Sequence, residues 1–207
     1  MSKKLVIFDM DGTLIDSSLT IVNAINFVRN NLGLKPMEEK LILGSINDPK
    51  INPAKFYYDA ESFTPKHEEW FSDYYSLNHE KEIRFYDGID NLLTTLKLDG
   101  YRLAVATNAY RVSAIESLKH LDIYEKFDVI ACADDVPLAK PHPEMLYKIL
   151  DELKLTRDEA IFVGDGERDL LASQNAKIDY LMVNWGFSDY SDAIHSVERL
   201  QESILEF

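Results

Sequence analysis

Five short runs of the chain are apolar almost throughout: KLVIF (4–8), YRLAVAT (101–107), FDVIACA (127–133), AIFVG (160–164) and YLMVNW (180–185). A strand with one wet face alternates apolar and polar residues, so unbroken runs of this kind predict strands covered on both faces. From the second run onward, stretches with helical periodicity separate them. GIDNLLTTLKLDG (88–100) sets Ile89, Leu92, Leu93 and Leu96 on one face ahead of a Gly100 stop. VSAIESLKHLDI (112–123) and PEMLYKILDELKL (143–155) repeat the pattern, the latter with Pro143 at the first helical position. Strands alternating with helices predict an α/β fold built on an open parallel sheet.

The alternation is interrupted once. Residues 16–86 hold no convincing strand; SLTIVNAINFVRNNLGL (18–34) and ESFTPKHEEWFSDYYSLNHEKEI (61–83) read as helices. This predicts a helical insertion at 16–86, hinged near Ser17–Ser18 and Tyr86–Gly88, in a core made of 1–15 and 87–207. With 22 Lys+Arg against 36 Asp+Glu, the net charge of −14 argues against nucleic acid and anionic lipid as partners. No apolar stretch approaches the ~20 residues a membrane span needs, and a cytoplasmic location is expected. The single cysteine, Cys132, excludes an intramolecular disulfide and reads as a buried thiol. Oligomeric state is left open.

Open parallel sheets bind ligands beyond the carboxyl ends of their strands. Four of the predicted strand ends carry chemistry: Asp9-Met10-Asp11-Gly12-Thr13, Thr107-Asn108, a segment with Asp134, Asp135 and Lys140, and Gly164-Asp165-Gly166-Glu167-Arg168-Asp169. At a rise of about 3.3 Å per residue, Asp9 and Asp11 would lie roughly 7 Å apart on one side of the strand. Their repulsion is about 2–3 kcal/mol at an effective dielectric near 20. A cation among Asp9, Asp11 and Asp165 offsets that cost, and an oxygen-only set suits Mg²⁺. Thr107 and Asn108 can hydrogen-bond a phosphoryl oxygen, and Lys140 adds a fixed positive charge. A carboxylate so neutralised can attack phosphorus, and the second acid of the pair can move the leaving-group proton. His142 is assigned no role. His67, His79 and His120 are expected on polar helix faces and His195 in the C-terminal tail.

FDMDGTLID, VATN, LAKPHPEML and VGDGERD, in this order over essentially the whole chain, resemble the motifs of the haloacid dehalogenase superfamily. The helical insertion is similar to the cap of its phosphoglycolate-phosphatase-like and β-phosphoglucomutase-like branch. The resemblance implies a Rossmann-like core with an inserted α-helical cap. It implies Asp9 as nucleophile, Asp11 as general acid/base, and Thr107 and Lys140 as phosphate-binding or charge-stabilising residues. It further implies Mg²⁺ held by Asp9, Asp165 and the Asp11 carbonyl, with Asp169 supporting it through water or from behind the ligands. Backbone N–H groups near Gly12 and Asn108 would hold the phosphoryl group. The chain departs from the pattern at Gly166, where Ser or Thr is common, and at Asp87, where proline is common. The second aspartate argues for phosphoryl transfer over dehalogenation.

The resulting expectation is a Mg²⁺-dependent phosphatase acting on a small phosphate monoester through an aspartyl-phosphate. A sugar phosphomutase using the same site is one alternative. A non-enzymatic phospho-receiver or metabolite-binding protein is another, against which the Asp-x-Asp spacing and the long insertion argue.

Overall fold

The apolar runs pair side by side. A computed structural model describes residues 3–185 and 192–207 of the chain. Its strands are β1 (Leu5–Phe8), β2 (Ile15–Asp16), β3 (Arg84–Phe85), β4 (Arg102–Ala106), β5 (Val129–Ala131), β6 (Ala160–Gly164) and β7 (Asp179–Met182). Five of them form an all-parallel sheet in the order β5-β4-β1-β6-β7, with β1 at the centre. Because β4 and β6 flank β1 on opposite sides, the strand order reverses there, and the crevice of the switch point opens at the carboxyl end of β1.

Both faces of the sheet are covered, which accounts for the unbroken apolar runs. Val6, Phe8, Leu103, Val105, Ile161 and Val163 pack into one cluster with residues of α5 (Ile89–Leu98), α6 (Arg111–His120) and α9 (Val197–Leu205). Leu5, Ile7, Ala104, Ala106, Ala160 and Phe162 pack on the other face against α7 (Glu144–Leu153) and α8 (Glu167–Ala176). Each fully buried Leu, Ile or Phe of this kind contributes about 1.5–3 kcal/mol through removal from water. Cys132 is buried, and burial pushes its thiol up to about 12.

Except for β6, the strands of the sheet are shorter than the apolar runs. The third begins at Val129, after Asp128, whose carboxylate accepts the Leu103 N–H at 2.8 Å and pairs with Lys97 and Arg102. Pro143 is the residue before α7, not its first, and the helix starts at Glu144.

Between β2 and β3 lie α1 (Ser18–Asn31), α2 (Glu39–Ile46), α3 (Pro53–Tyr58) and α4 (Pro65–Glu82). α2 and α3 were not expected. For α3 the signal was present: Asn52 accepts the Lys55 N–H ahead of Pro53, as Thr64 accepts the His67 N–H ahead of Pro65. The four helices carry a cluster of their own, with Val22, Ile25, Val28, Ile42, Tyr57 and Tyr58 buried in it. The two connections to the sheet are tied by the antiparallel β2–β3 ladder, Ile15 opposite Phe85 and Asp16 opposite Arg84, in a region where no strand was expected.

His67 and His79 are buried, contrary to the polar faces predicted for them. His67 packs on Tyr58 with ring centroids 4.9 Å apart, and His79 stacks on Tyr75 at 5.3 Å. Tyr58, on a different helix, gives His67 an apolar seat that the periodicity of its own helix does not reveal. No described helix is long and apolar enough to cross a membrane.

Candidate active site

Asp9 follows β1, Thr107 follows β4 and Asp165 follows β6, so all three reach the carboxyl rim of the sheet. Asp169 lies in the first turn of α8, and Lys140 comes from the loop before α7. The Lys140 Nζ donates to Asp9 Oδ1 at 2.6 Å and reaches Asp169 Oδ1 at 2.7 Å, with all three side chains buried. Asp9, Asp165 and Asp169 bring carboxylate oxygens within 4.8 Å of one another. Three carboxylates against one ammonium leave a formal charge of −2 in a nearly dry site.

The electrostatics follow from that imbalance. Burial, then the Asp169 charge, pushes Asp9 up to about 7 in spite of Lys140. Asp165 is raised well above the carboxylate range by burial, then by Asp9 and Asp169. Burial alone would lower Lys140, but Asp169 and Asp9 outweigh it and hold the ammonium charged. Asp169 Oδ2 is buried with no hydrogen-bond partner. An orphaned carboxylate oxygen in a buried, oxygen-only, net-anionic set is what a small hard divalent cation satisfies.

The other predicted residues sit around this cluster without joining it. Asp11 Oδ1 accepts the Ser17 hydroxyl at 2.5 Å, and burial raises its pKa. Gly12 adopts φ +84°, and a Cβ there would lie 2.7 Å from Asp165 Cγ, so both its backbone and its neighbour demand glycine. Its N–H donates to the Ile15 carbonyl at 2.9 Å. Thr107 is buried and its Oγ1 accepts the Ala109 N–H at 3.0 Å. Asn108 uses its whole amide on the Lys140 loop: Nδ2 donates to the Lys140 carbonyl and Oδ1 accepts the Lys140 N–H, both at 3.0 Å.

Several residues at the rim carried no signal in the sequence. Asn47, just past α2, donates its Nδ2 to Asp165 Oδ2 at 2.8 Å. Arg168 donates to the carbonyls of Ile46 at 3.2 Å and Asp48 at 2.8 Å, satisfying acceptors at the end of that helix. Gly166, the departure noted above, makes room for this contact: a Cβ there would lie within 2.6 Å of Asn47 Cβ and Nδ2. Trp185 Nε1 donates to the Thr13 carbonyl at 2.9 Å, bracing the turn that follows β1. A cavity of about 410 Å³ opens between this rim and the helical segment, with Asp11, Ser17, Asn47, Tyr86 and Asp165 among its walls.

The family model for haloacid dehalogenase-like hydrolases matches residues 6–183, spanning both the sheet and the helical segment. The chain belongs to the haloacid dehalogenase-like hydrolases. Among relatives of this hydrolase, the pyrophosphatase PpaX of Bacillus mycoides is 30% identical over 87% of the chain and 83% of its own length. A phosphoglycolate phosphatase of Psychrobacter arcticus is 29% identical over 91% and 86%. The crystal structure of a predicted phosphatase from Clostridium acetobutylicum superposes with a TM-score of 0.89 at 27% identity, covering 100% of both chains. The chain is thus an enzyme of a hydrolase family, and the two relatives just described are phosphatases by name.

Proposed function

We propose that the protein is a Mg²⁺-dependent phosphatase that hydrolyses a small-molecule phosphate monoester through an aspartyl-phosphate on Asp9. The observation that carries this reading is the buried Asp9–Lys140–Asp169–Asp165 cluster with its orphaned Asp169 oxygen, at the switch point of a hydrolase-family sheet. Asp9, Asp165 and Asp169 are the side chains that would hold the ion, together with the Asp11 carbonyl. When bound, Mg²⁺ neutralises the carboxylates and the phosphoryl oxygens and so lets two anions meet.

The remaining work falls to the chain. Lys140 holds Asp9 Oδ1, which leaves Oδ2 as the attacking atom. Thr107 accepts from Ala109 through its oxygen, so its hydroxyl proton is directed to a phosphoryl oxygen. The Asn108 amide is occupied by the Lys140 loop, and its backbone N–H serves as the second donor. Gly12 acts by absence, allowing the turn after β1 to lie against Asp165. Asp11, whose carboxyl is raised by burial, gives its proton to the leaving alcohol oxygen and then takes one from the water that attacks the phospho-aspartate. Residues 16–86 act as a cap over the site, hinged at the β2–β3 ladder, excluding bulk water during the transfer.

The test is phosphate release from p-nitrophenyl phosphate. Activity with Mg²⁺, its loss in EDTA and its loss in Asp9→Asn are expected. Turnover that survives chelation, or an active Asp9→Asn protein, would overturn the reading.

A further inference from the structure

The turn that carries two of the clustered acids, Asp165 and Asp169, also holds the helical segment. Asp165 Oδ2 accepts the Asn47 Nδ2 at 2.8 Å, and Arg168 donates to the carbonyls on either side of Asn47, those of Ile46 at 3.2 Å and Asp48 at 2.8 Å. Residues 46–48 are thus fastened to the stretch that links two candidate metal ligands. Behind them the end of α2 is tied to α3, for Ser45 Oγ and the Tyr57 hydroxyl lie 2.8 Å apart in a buried pair. Asn47 is therefore carried by a braced helix end.

Asp165 has little other support. Among the described residues the one further side-chain donor to it, Thr13 Oγ1, stands at 3.5 Å, too far for a firm O–H···O bond. Gly12, which lies against its carboxylate, and Gly166, which follows it, have no side chains to offer. A carboxylate that gives one oxygen to a cation is oriented by what its other oxygen accepts, and such partners contribute about 10- to 100-fold in metal affinity. Here the partner comes from 118 positions away, on a helix outside the sheet domain.

We propose that Asn47 is a positioning residue for Asp165, so that docking of the helical segment and binding of the divalent cation reinforce each other. The proposal rests on the metal-dependent reading of the site and goes beyond it, because it makes the cation site complete only in the docked form. Linkage is reciprocal: the factor by which docking raises metal affinity is the factor by which the ion favours docking. The segment then closes most firmly over a site already loaded for the reaction.

The test titrates the metal-free full chain with MgCl₂ alone, followed by calorimetry and by amide hydrogen exchange. Asn47→Ala is expected to weaken Mg²⁺ binding by about 10-fold. Saturating Mg²⁺ should slow α2 exchange in the wild type by a similar factor, and the slowing should disappear in Asn47→Ala. Arg168→Met gives up the two carbonyl contacts but keeps the Asn47 bond, so its α2 amides should exchange faster and still be slowed by Mg²⁺. A residue that merely packs α2 would loosen the helix when substituted and leave Mg²⁺ affinity unchanged. That result, or Mg²⁺ slowing that persists in Asn47→Ala, overturns the proposal alone. Wild-type protein that binds no Mg²⁺ overturns the metal-dependent reading and this proposal with it.

Discussion

Gly166→Ala is the most discriminating single change at this site. Gly166 has φ −140° and ψ 171°, an extended conformation open to any residue, so an added methyl strains nothing in its own backbone. It would, however, lie within 2.6 Å of Asn47 Cβ and Nδ2, and ordinary contact begins at 3.4 Å. The overlap of about 0.8 Å involves a Cβ as well as an amide, so rotating the Asn47 side chain does not relieve it. The end of α2 must move, and the 2.8 Å bond to Asp165 Oδ2 is lost. With Asp165 ionised, a hydrogen bond to this charged acceptor contributes about 1.5–3 kcal/mol, and the half-buried setting places this one near 1.5–2. That corresponds to a roughly 10- to 30-fold shift in the docking equilibrium of the helical segment. Amide hydrogen exchange in α2 should accelerate by this factor while the sheet amides keep their protection. Asn47→Gly removes all three clashing atoms, Cβ, Cγ and Nδ2, so adding Gly166→Ala to it should cost almost nothing, a coupling of about 1.5–2 kcal/mol in the cycle. Unchanged α2 exchange in Gly166→Ala, or strictly additive effects in the double variant, would refute the reasoning.

The other predictions concern the cluster and its protons. Asp9 is raised to about 7 from an ordinary 3.8, so the metal-free folded state holds its proton more tightly than the unfolded chain does. Metal-free stability should therefore fall as pH rises from about 4 through 7. Mg²⁺ takes the deprotonated form, so it should raise Tm more at pH 8 than at pH 5; equal increments would contradict the assignment. Lys140→Ala leaves Asp9 and Asp169 buried without their cation and should destabilise the metal-free protein by about 3 kcal/mol in urea melts, a loss that Mg²⁺ partly restores. Asp11→Asn should lower kcat by roughly 10²- to 10⁴-fold for alkyl phosphates and less for p-nitrophenyl phosphate, whose leaving group needs no proton. A uniform drop across both substrates would remove Asp11 from the proton-transfer role.

The acids and the lysine could be found in the chain because each stands at the end of an apolar run, where a parallel sheet exposes its ligands. Asp9, Thr107 and Asp165 were legible for that reason, and Lys140 for its position after the β5 run. Asn47, Arg168 and Ser17 were not. Each sits in a polar, aperiodic stretch where nothing local separates it from a solvated neighbour. Asn47 meets Asp165 across 118 positions of sequence, and Arg168 meets the Asp48 carbonyl across 120. Gly166 read as a departure from the family pattern and proved to be the space that Asn47 fills.

Short-range physics settled in advance which segments would be the strands of the parallel sheet, because an apolar run without alternation has no solvent-facing side to offer. It also pointed to a cation among the acids at their ends. Only the folded chain decided which carboxylates meet. Asp11, two residues from Asp9, turns to Ser17, while Asp169 comes in from another helix to share Lys140 with Asp9. Spacing along one strand sets where two side chains start, but burial and charge summed over several elements set where they end.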